Sequence, residues 1–212
     1  MLKLQEEVKI MLFKILLWII IGYIVGSIAW GLWIGLIFFH KDIRKYGSGN
    51  TGGTNAGRVL GKPIGLLVIF LDAMKAFIIM ALCSKFAKEA VPYAGIAVSV
   101  GHCFPCFAEF KGGKGVACGF GYLLGLCCFF EQDFIFLFVY PILVFLLILG
   151  LSRMVSLSSM CGLTAATIIS YFVCDLNIFL CILLLTILVI YRHHSNIERI
   201  IQGKESKVSF IK

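Results

Sequence analysis

Long apolar runs alternate with short polar segments along almost the whole chain. Seven such runs are present, at residues 11–39, 64–82, 92–101, 116–130, 134–151, 160–173 and 176–191. A helix needs about 20 apolar residues to cross the hydrocarbon layer of a bilayer. The pattern therefore predicts an all-α, polytopic transmembrane helical bundle of about seven spans, forming a single domain over residues 1–212. Because the third, fourth and sixth runs are short, a five-span arrangement stays open.

Composition supports a membrane protein. Of the 212 residues, 60% are hydrophobic and 14% are charged, whereas a soluble domain carries about a quarter charged residues. The first apolar run is longer than the core of a signal peptide and is not followed by a small-residue cleavage site. We therefore expect it to be a single long transmembrane helix, tilted or protruding from the bilayer.

Lysine and arginine gather on one side of the predicted bundle. With seven spans, the segments at 40–62, 101–115, 152–159 and from 192 onward carry thirteen of them, against four on the other side. The positive-inside rule then places the N-terminus outside and the C-terminus in the cytoplasm. A net charge of +8 spread between apolar runs fits the lipid bilayer and an anionic substrate better than nucleic acid. The sequence does not indicate a protein partner.

The first polar segment combines glycine with hydrogen-bonding side chains. Its G-x-G-x-x-G spacing at 47, 49 and 52 would indicate a dinucleotide site only after a β-strand, and an apolar helix precedes it. The glycines still allow the backbone to approach a ligand closely, and the guanidinium of Arg58 can hold a phosphate. We predict a phosphate site here, with a flexible linker as the alternative.

A second glycine-rich segment, Lys111-Gly112-Gly113-Lys114-Gly115, lies near the middle of the chain. Each glycine costs roughly 1 kcal/mol of helix stability relative to alanine, so we expect a loop. Its backbone N–H groups can approach an anion while the two lysines add positive charge. It lacks the Ser or Thr after lysine that defines a P-loop. On its own the segment also fits a basic turn at a membrane surface.

Two ionisable residues, Asp72 and Lys75, lie three apart within the second apolar run. They share one face of a helix, where they form either a functional group at membrane depth or a mutually neutralising pair. The C-x-x-C at Cys103 and Cys106 lacks a thioredoxin-like context, so structural cysteines are favoured. The histidines show no zinc-ligand spacing with cysteines or carboxylates. We therefore expect no metal and no cofactor.

Taken together, the polar segments resemble one family, the acyl-phosphate-dependent glycerol-3-phosphate acyltransferases of bacterial membranes. The first motif resembles residues 48–55 followed by Arg58, Asp72 and Lys75; the second resembles Gly101-His102, Phe104-Pro105 and residues 110–117; the third resembles Arg192-His193, Asn196-Ile197, Arg199, Gly203 and Glu205. A shorter motif is similar to Arg153, Ser156-Leu157 and Ser159. The similarity covers roughly residues 46–205.

The resemblance implies transfer of a fatty acyl group from acyl phosphate to the sn-1 hydroxyl of glycerol 3-phosphate. The products would be lysophosphatidic acid and phosphate, in the first acylation step of phospholipid synthesis. The enzyme would lie in the bacterial cytoplasmic (inner) membrane, with its active site on the cytoplasmic face. The alternative from another class is a membrane transporter of a phosphorylated small molecule, although no inverted repeat is visible.

The resemblance also implies roles for individual residues. Acyl phosphate is expected to bind Ser48, Gly49, Asn50, Thr54, Asn55, Lys111, Gly112, Gly113 and Gly115. Glycerol 3-phosphate is expected to bind Arg58, Lys114, Ser156, His193 and Asn196, of which all but Ser156 are also expected to be catalytic. Supporting roles are expected for Asp72, Lys75, His102, Arg192 and Glu205. His193 is either a general base or a hydrogen-bond donor to the acceptor's phosphate, and the two roles stay open.

Overall fold

The computed structural model describes residues 2–208, which form ten α-helices joined by short 3₁₀ and π segments and contain no β-strand. The prediction of an all-α membrane fold is confirmed. In chain order the helices are α1 (Leu2–Gly26), α2 (Trp30–Phe39), α3 (Gly53–Leu60), α4 (Lys62–Phe86), α5 (Val91–Cys103), α6 (Val116–Phe129), α7 (Tyr140–Ser152), α8 (Val155–Val173), α9 (Leu176–Arg192) and α10 (His194–Ile201).

The first apolar run is broken, so the prediction of a single long helix is wrong. Between α1 and α2, residues 27–29 are not helical. The ammonium of Lys75 donates hydrogen bonds to the carbonyls of Gly26 (2.9 Å) and Ile28 (3.0 Å) at this break. These hydrogen bonds come from a residue about fifty positions away, and the local signal for the break is the pair Gly26-Ser27. The whole stretch Lys3–Phe39 still has the length and hydropathy of a span.

Within residues 2–208, five helical segments are long and apolar enough to cross a membrane. A sixth is added if α9 and α10, which bend by 59°, are taken as one span. This matches the five-span alternative more closely than the predicted seven. The difference arises because α6 has only 14 residues and α9 only 17, below the length that a straight crossing requires.

The chain divides after Phe130 into two compact units. In the first unit α4 packs against α3, α5 and α6, and α1 packs against α5. Two glycines allow α3 and α4 to approach closely: a Cβ added to Gly65 would lie 2.6 Å from the Cα of Gly57. Helix α3 starts at the end of the first glycine-rich segment, and this crossing holds that start against α4.

The second unit contains α7 to α10. Helix α8 packs against both α7 and α9. A buried hydrogen bond from Thr167 Oγ1 to Thr186 Oγ1 (2.8 Å) joins α8 to α9. The helix α9 begins at a well-formed cap, because Asp175 Oδ1 accepts hydrogen bonds from the N–H groups of Asn177 and Ile178. These contacts support the motif residues at the end of α9 and in α10.

Candidate active site

The first glycine loop, residues 46–52, is held in shape by the side chain of Asn55. This side chain is buried, and its Oδ1 accepts a hydrogen bond from the N–H of Ser48 at 2.8 Å. Its Nδ2 donates to the carbonyls of Ile43 (2.9 Å), Asn50 (2.8 Å) and Tyr46 (3.2 Å). The N–H groups of the Asn55 amide are therefore used by the loop and by the segment just before it, and that Asn55 contacts acyl phosphate stays a prediction.

The remaining side chains of this segment divide into inward and outward groups. Asn50 Oδ1 accepts a hydrogen bond from the N–H of Gly52 (2.8 Å), the residue that caps the start of α3. Ser48, Thr54 and Arg58 are exposed. The hydroxyl of Ser48 is therefore exposed before α3 begins. The hydroxyl of Thr54 is exposed in the first turn of α3, and the guanidinium of Arg58 is exposed one turn later.

The second glycine loop, residues 109–115, is folded back on the end of α5. The N–H of Gly113 donates to the carbonyl of His102 at 3.0 Å. This N–H is therefore used within the protein, and that Gly113 belongs to an acyl-phosphate site stays a prediction. A Cβ on Gly113 would overlap the imidazole of His102, and one on Gly112 would lie 2.7 Å from the carbonyl of Cys103. Glycine is required at both positions because of these neighbours.

The second loop leads directly into the N-terminus of α6. Gly115 caps this helix with φ 81°, a conformation that favours glycine. The first N–H groups of a helix have no intrahelical acceptor and carry partial positive charge, which makes this a suitable place for an anion. Lys114 lies one residue before the cap. Lys111 is exposed instead, and its Nζ lies 3.0 Å from Oε2 of Glu109.

The two glycine loops meet. A Cβ added to Gly52 would lie 4.0 Å from the Cα of Gly113. Helix α3 begins at the residue after Gly52, and α6 begins three residues after Gly113. Two segments that are about sixty residues apart in the sequence therefore lie side by side, and each leads within a few residues into the N-terminus of a helix.

A buried polar cluster lies beneath this junction, and Lys75 is at its centre. Besides the two carbonyls at the α1–α2 break, its Nζ lies 2.9 Å from Nδ1 of His102 and 3.0 Å from Oδ1 of Asp72. All three side chains are at most 5% exposed. Asp72 and Lys75 form an ion pair, which was one of the two alternatives left open by their spacing. His102 is a third partner that the spacing could not reveal.

The cluster also contains a group of possible metal ligands, in Asp72, His102 and Cys118, whose donor atoms lie within 4.8 Å of one another. The ammonium of Lys75 lies between the first two, at hydrogen-bond or ion-pair distance from each. A positive charge already neutralises the carboxylate there, so these residues do not fit a cation. That the enzyme needs no metal stays a prediction.

In the second unit Glu205 accepts hydrogen bonds from three motif residues. Ser156 Oγ and Asn196 Nδ2 each donate to its Oε1 at 2.7 Å, and Arg199 Nε donates to its Oε2 at 2.8 Å. Burial raises the pKa of Glu205, but the three donors outweigh it and hold that pKa below its ordinary value. Glu205 therefore orients Ser156 and Asn196, which were expected to bind glycerol 3-phosphate.

Replacing Glu205 with glutamine should destabilise the protein by about 1–3 kcal/mol, because one amide N–H₂ would face a donor. The pKa of Glu205 is lowered on folding, so its stabilising effect is present above its ordinary value of 4.5 and is lost as pH falls through the lowered value. Thermal unfolding midpoints of the wild type and E205Q should therefore converge in acid. The exposed Glu198 provides the control E198Q. A difference in unfolding midpoint between the wild type and E205Q that stays constant with pH would contradict a stabilising role of ionised Glu205.

His193 is buried at the end of α9 and has a defined tautomer. Its Nδ1 lies 2.7 Å from the carbonyl of Val189. A carbonyl oxygen can only accept, so Nδ1 carries the proton. In the neutral ring Nε2 then holds a lone pair and can take up a proton. The neighbouring Arg192 is half-buried, and His194 is exposed.

Comparison with known proteins decides the family. The family model described as glycerol-3-phosphate acyltransferase matches residues 16–203. The chain belongs to this family. The match extends over residues of both units and includes the glycine loops as well as His193 and Asn196.

Individual acyltransferases support this assignment. Glycerol-3-phosphate acyltransferase of Enterococcus faecalis is 42% identical over 209 residues, covering 93% of both chains. The Listeria monocytogenes protein of the same description is 40% identical over 205 residues, covering 95% of this chain and all of its own. The crystal structure of PlsY (YgiH), an integral membrane glycerol 3-phosphate acyltransferase in its glycerol 3-phosphate form, is 34% identical with a TM-score of 0.81, covering 92% of this chain and 96% of its own.

These findings confirm the resemblance drawn from the motifs and the assignment as a membrane acyltransferase. They favour acyl transfer over the transporter alternative. Sequence reasoning missed the role of Asn55 in shaping the first loop and the internal use of the Gly113 N–H. Both depend on contacts between segments, and the only local signal was an amide side chain beside a run of glycines.

Proposed function

We propose that the enzyme transfers a fatty acyl group from acyl phosphate to the sn-1 hydroxyl of glycerol 3-phosphate. The observation that carries the proposal is the meeting of the two glycine loops at Gly52 and Gly113. It gathers the N-termini of α3 and α6, with Lys114 beside them, into one region suited to a phosphate group. This region binds the phosphate of the acyl donor.

The chemistry needs little beyond positioning and charge neutralisation. The hydroxyl oxygen of the acceptor attacks the carbonyl carbon of the donor, and the bond from that carbon to the phosphate oxygen breaks. The hydroxyl proton passes to His193 Nε2 or to a substrate phosphate oxygen. Because the donor is a mixed anhydride with a good leaving group, orientation of the reactants can supply about 7–11 kcal/mol of the barrier reduction. The helix N-termini and Lys114 stabilise the departing phosphate.

The polar residues at the start of α8 and around the end of α9 are proposed to bind the acceptor. Ser156, His193 and Asn196 bind glycerol 3-phosphate in this proposal, as do Arg58 and Lys114. Two observations support this: Glu205 orients Ser156 and Asn196, and the family model covers both units. The related PlsY structure is described as the glycerol 3-phosphate form, which supports glycerol 3-phosphate as the acceptor.

The motif segments face the cytoplasm, with the N-terminus outside. This orientation requires that the short helices α6 and α9 also cross the membrane. With those crossings, thirteen lysines and arginines lie on the side of the motif segments, and the positive-inside rule supports the orientation. The enzyme then lies in the bacterial cytoplasmic membrane, where its acceptor is a soluble cytoplasmic anion. The acyl chain of the donor stays among the apolar helices.

One experiment tests the donor and the orientation together. Sealed inverted membrane vesicles should convert glycerol 3-phosphate and palmitoyl phosphate to lysophosphatidic acid without detergent, whereas right-side-out vesicles should need permeabilisation. Palmitoyl-CoA and palmitoyl-acyl carrier protein should not replace palmitoyl phosphate. Turnover with either of these donors would overturn the donor assignment, and activity in intact right-side-out vesicles would overturn the orientation. Uptake of labelled glycerol 3-phosphate without any donor would revive the transporter alternative.

A further inference from the structure

The imidazole of His102 faces the second glycine loop with its Nε2 edge. Its side chain is 5% exposed, and the Nε2 edge of the imidazole lies where a side chain on Gly113 would be. Among residues 2–208, no group forms a hydrogen bond with this Nε2. Nε2 is not one of the fully enclosed side-chain atoms that lack a partner, so this nitrogen stays open to an acceptor that arrives with a ligand.

The hydrogen bonds of Lys75 determine which nitrogen of His102 carries the proton. An ammonium group has three N–H donors. They are directed to the carbonyls of Gly26 and Ile28 and to His102 Nδ1, at 2.9, 3.0 and 2.9 Å. Asp72 contributes its charge at 3.0 Å from the ammonium, without an aligned hydrogen bond to Oδ1. Nδ1 of His102 also lies 3.3 Å from Asp72 Oδ1, which is farther than its 2.9 Å from the ammonium. A hydrogen on Nδ1 would meet the N–H donors of Lys75, so in the neutral ring Nδ1 accepts and Nε2 carries the proton.

The proton on Nε2 does not depend on the charge of the ring. If His102 were protonated, both nitrogens would carry hydrogen and Nε2 would remain a donor. In the neutral ring, the contact with Lys75 fixes the same nitrogen as the donor. Because the carboxylate of Asp72 neutralises Lys75, the cluster offers this donor at the glycine loop without burying an uncompensated charge.

We propose that His102 Nε2–H binds a phosphate oxygen at the second glycine loop, and that Lys75 is the positioning residue that fixes its tautomer. The inference rests on the proposed function, since it requires a phosphate at the loop. It gives Gly113 a specific purpose, because the missing side chain leaves room for the imidazole beside the backbone. It also gives the buried Asp72–Lys75 pair a role beyond mutual neutralisation.

Two substitutions of His102 distinguish the loss of its Nε2 hydrogen-bond donor from the loss of the imidazole's volume. In H102Q the side-chain amide can reach the position of Nε2, whereas in H102N it reaches only about as far as Nδ1. We expect H102N to lower kcat/KM for acyl transfer by roughly 10- to 100-fold, as the loss of a hydrogen bond to a charged group predicts. H102Q should retain most of the activity. The exposed His40, at φ 51°, provides the control H40N, because asparagine tolerates this conformation.

Nitrogen NMR tests the positioning role independently of turnover. The chain has four histidines, and the H102Q spectrum identifies the signals of His102 in ¹⁵N-histidine protein. The wild type should show His102 with the proton on Nε2. The double variant D72N/K75M, which removes both charges together, should show a mixture of tautomers. Titration with inorganic phosphate should shift the Nε2 signal of the wild type and leave that of His40 unchanged.

The outcomes distinguish this inference from the proposed function. If the wild type does not use palmitoyl phosphate, the proposed function fails. If the wild type is active and phosphate inhibits it competitively, but H102N matches H40N, only the role of His102 is overturned. An unshifted Nε2 signal at saturating phosphate would overturn it as well, and this measurement needs no folded variant. An unchanged tautomer in D72N/K75M would overturn the role of Lys75.

Discussion

Replacing Gly113 with valine should reduce acyl transfer by at least about 10²-fold while the protein still inserts into the membrane. A Cβ at this position would overlap the imidazole of His102, so the loop or the ring has to move. Displacement of a substrate-binding group by about 1 Å is enough for a loss of this size. The measurement is kcat/KM for lysophosphatidic acid formation by purified protein.

Gly150 provides a matched control for this substitution. It lies in α7 with nothing within 4 Å of an added Cβ, so G150V introduces the same side chain into open space. G150V should retain near-normal activity and elute from size-exclusion chromatography like the wild type. Near-normal turnover in G113V would show that the second loop is only a turn. A misfolded G113V would be recognised by its elution profile and replaced by G113A.

Replacing His193 with asparagine should lower kcat by about 10²- to 10⁴-fold, the usual contribution of a positioned proton acceptor. Asparagine can keep a donor near Nδ1, where the carbonyl of Val189 accepts, but it has no group at Nε2. A base at Nε2 therefore predicts a fall in kcat with little change in the KM for glycerol 3-phosphate. If His193 only holds the acceptor's phosphate, KM should rise instead and kcat should change less.

The neighbouring His194 is exposed, so H194N is the natural control. H194N is the same histidine-to-asparagine substitution, made at the adjacent position. Equal activity of H193N and the wild type would contradict both roles of His193 and leave it as an interfacial residue at the end of α9. A pH–rate profile adds a second readout, because removing a base should abolish the acidic limb of the profile.

The sequence predicted the membrane fold well because one physical requirement dominates it. A helix must offer about 20 apolar residues to hydrocarbon, and these runs are visible without any tertiary information. The number of crossings was harder to predict, because α6 is apolar but only 14 residues long. The pair Gly26-Ser27 was the local signal for the break between α1 and α2. The hydrogen bonds that Lys75 donates there could not be predicted, because they come from another helix.

The candidate site shows the same limit. Glycines, lysines and asparagines marked the correct segments because each side chain suits an anion. Which backbone N–H groups remain for a ligand was not visible, since the partner of the Gly113 N–H is a carbonyl at the end of α5. Likewise the spacing of Ser156, Asn196 and Glu205 does not indicate that the Glu205 carboxylate accepts hydrogen bonds from the other two side chains.

The hydrogen bonds of Lys75 at the α1–α2 break have a consequence for membrane insertion. Carbonyl groups without partners cost several kcal/mol in hydrocarbon, and those of Gly26 and Ile28 accept hydrogen bonds from Lys75 in α4. The first apolar run precedes α4 in the chain, so we expect it to enter the membrane as a continuous helix. We expect the break to form when α4 arrives beside it. The geometry of the first glycine loop, which follows α2, would then be set late, by the docking of a neighbouring helix in the bilayer.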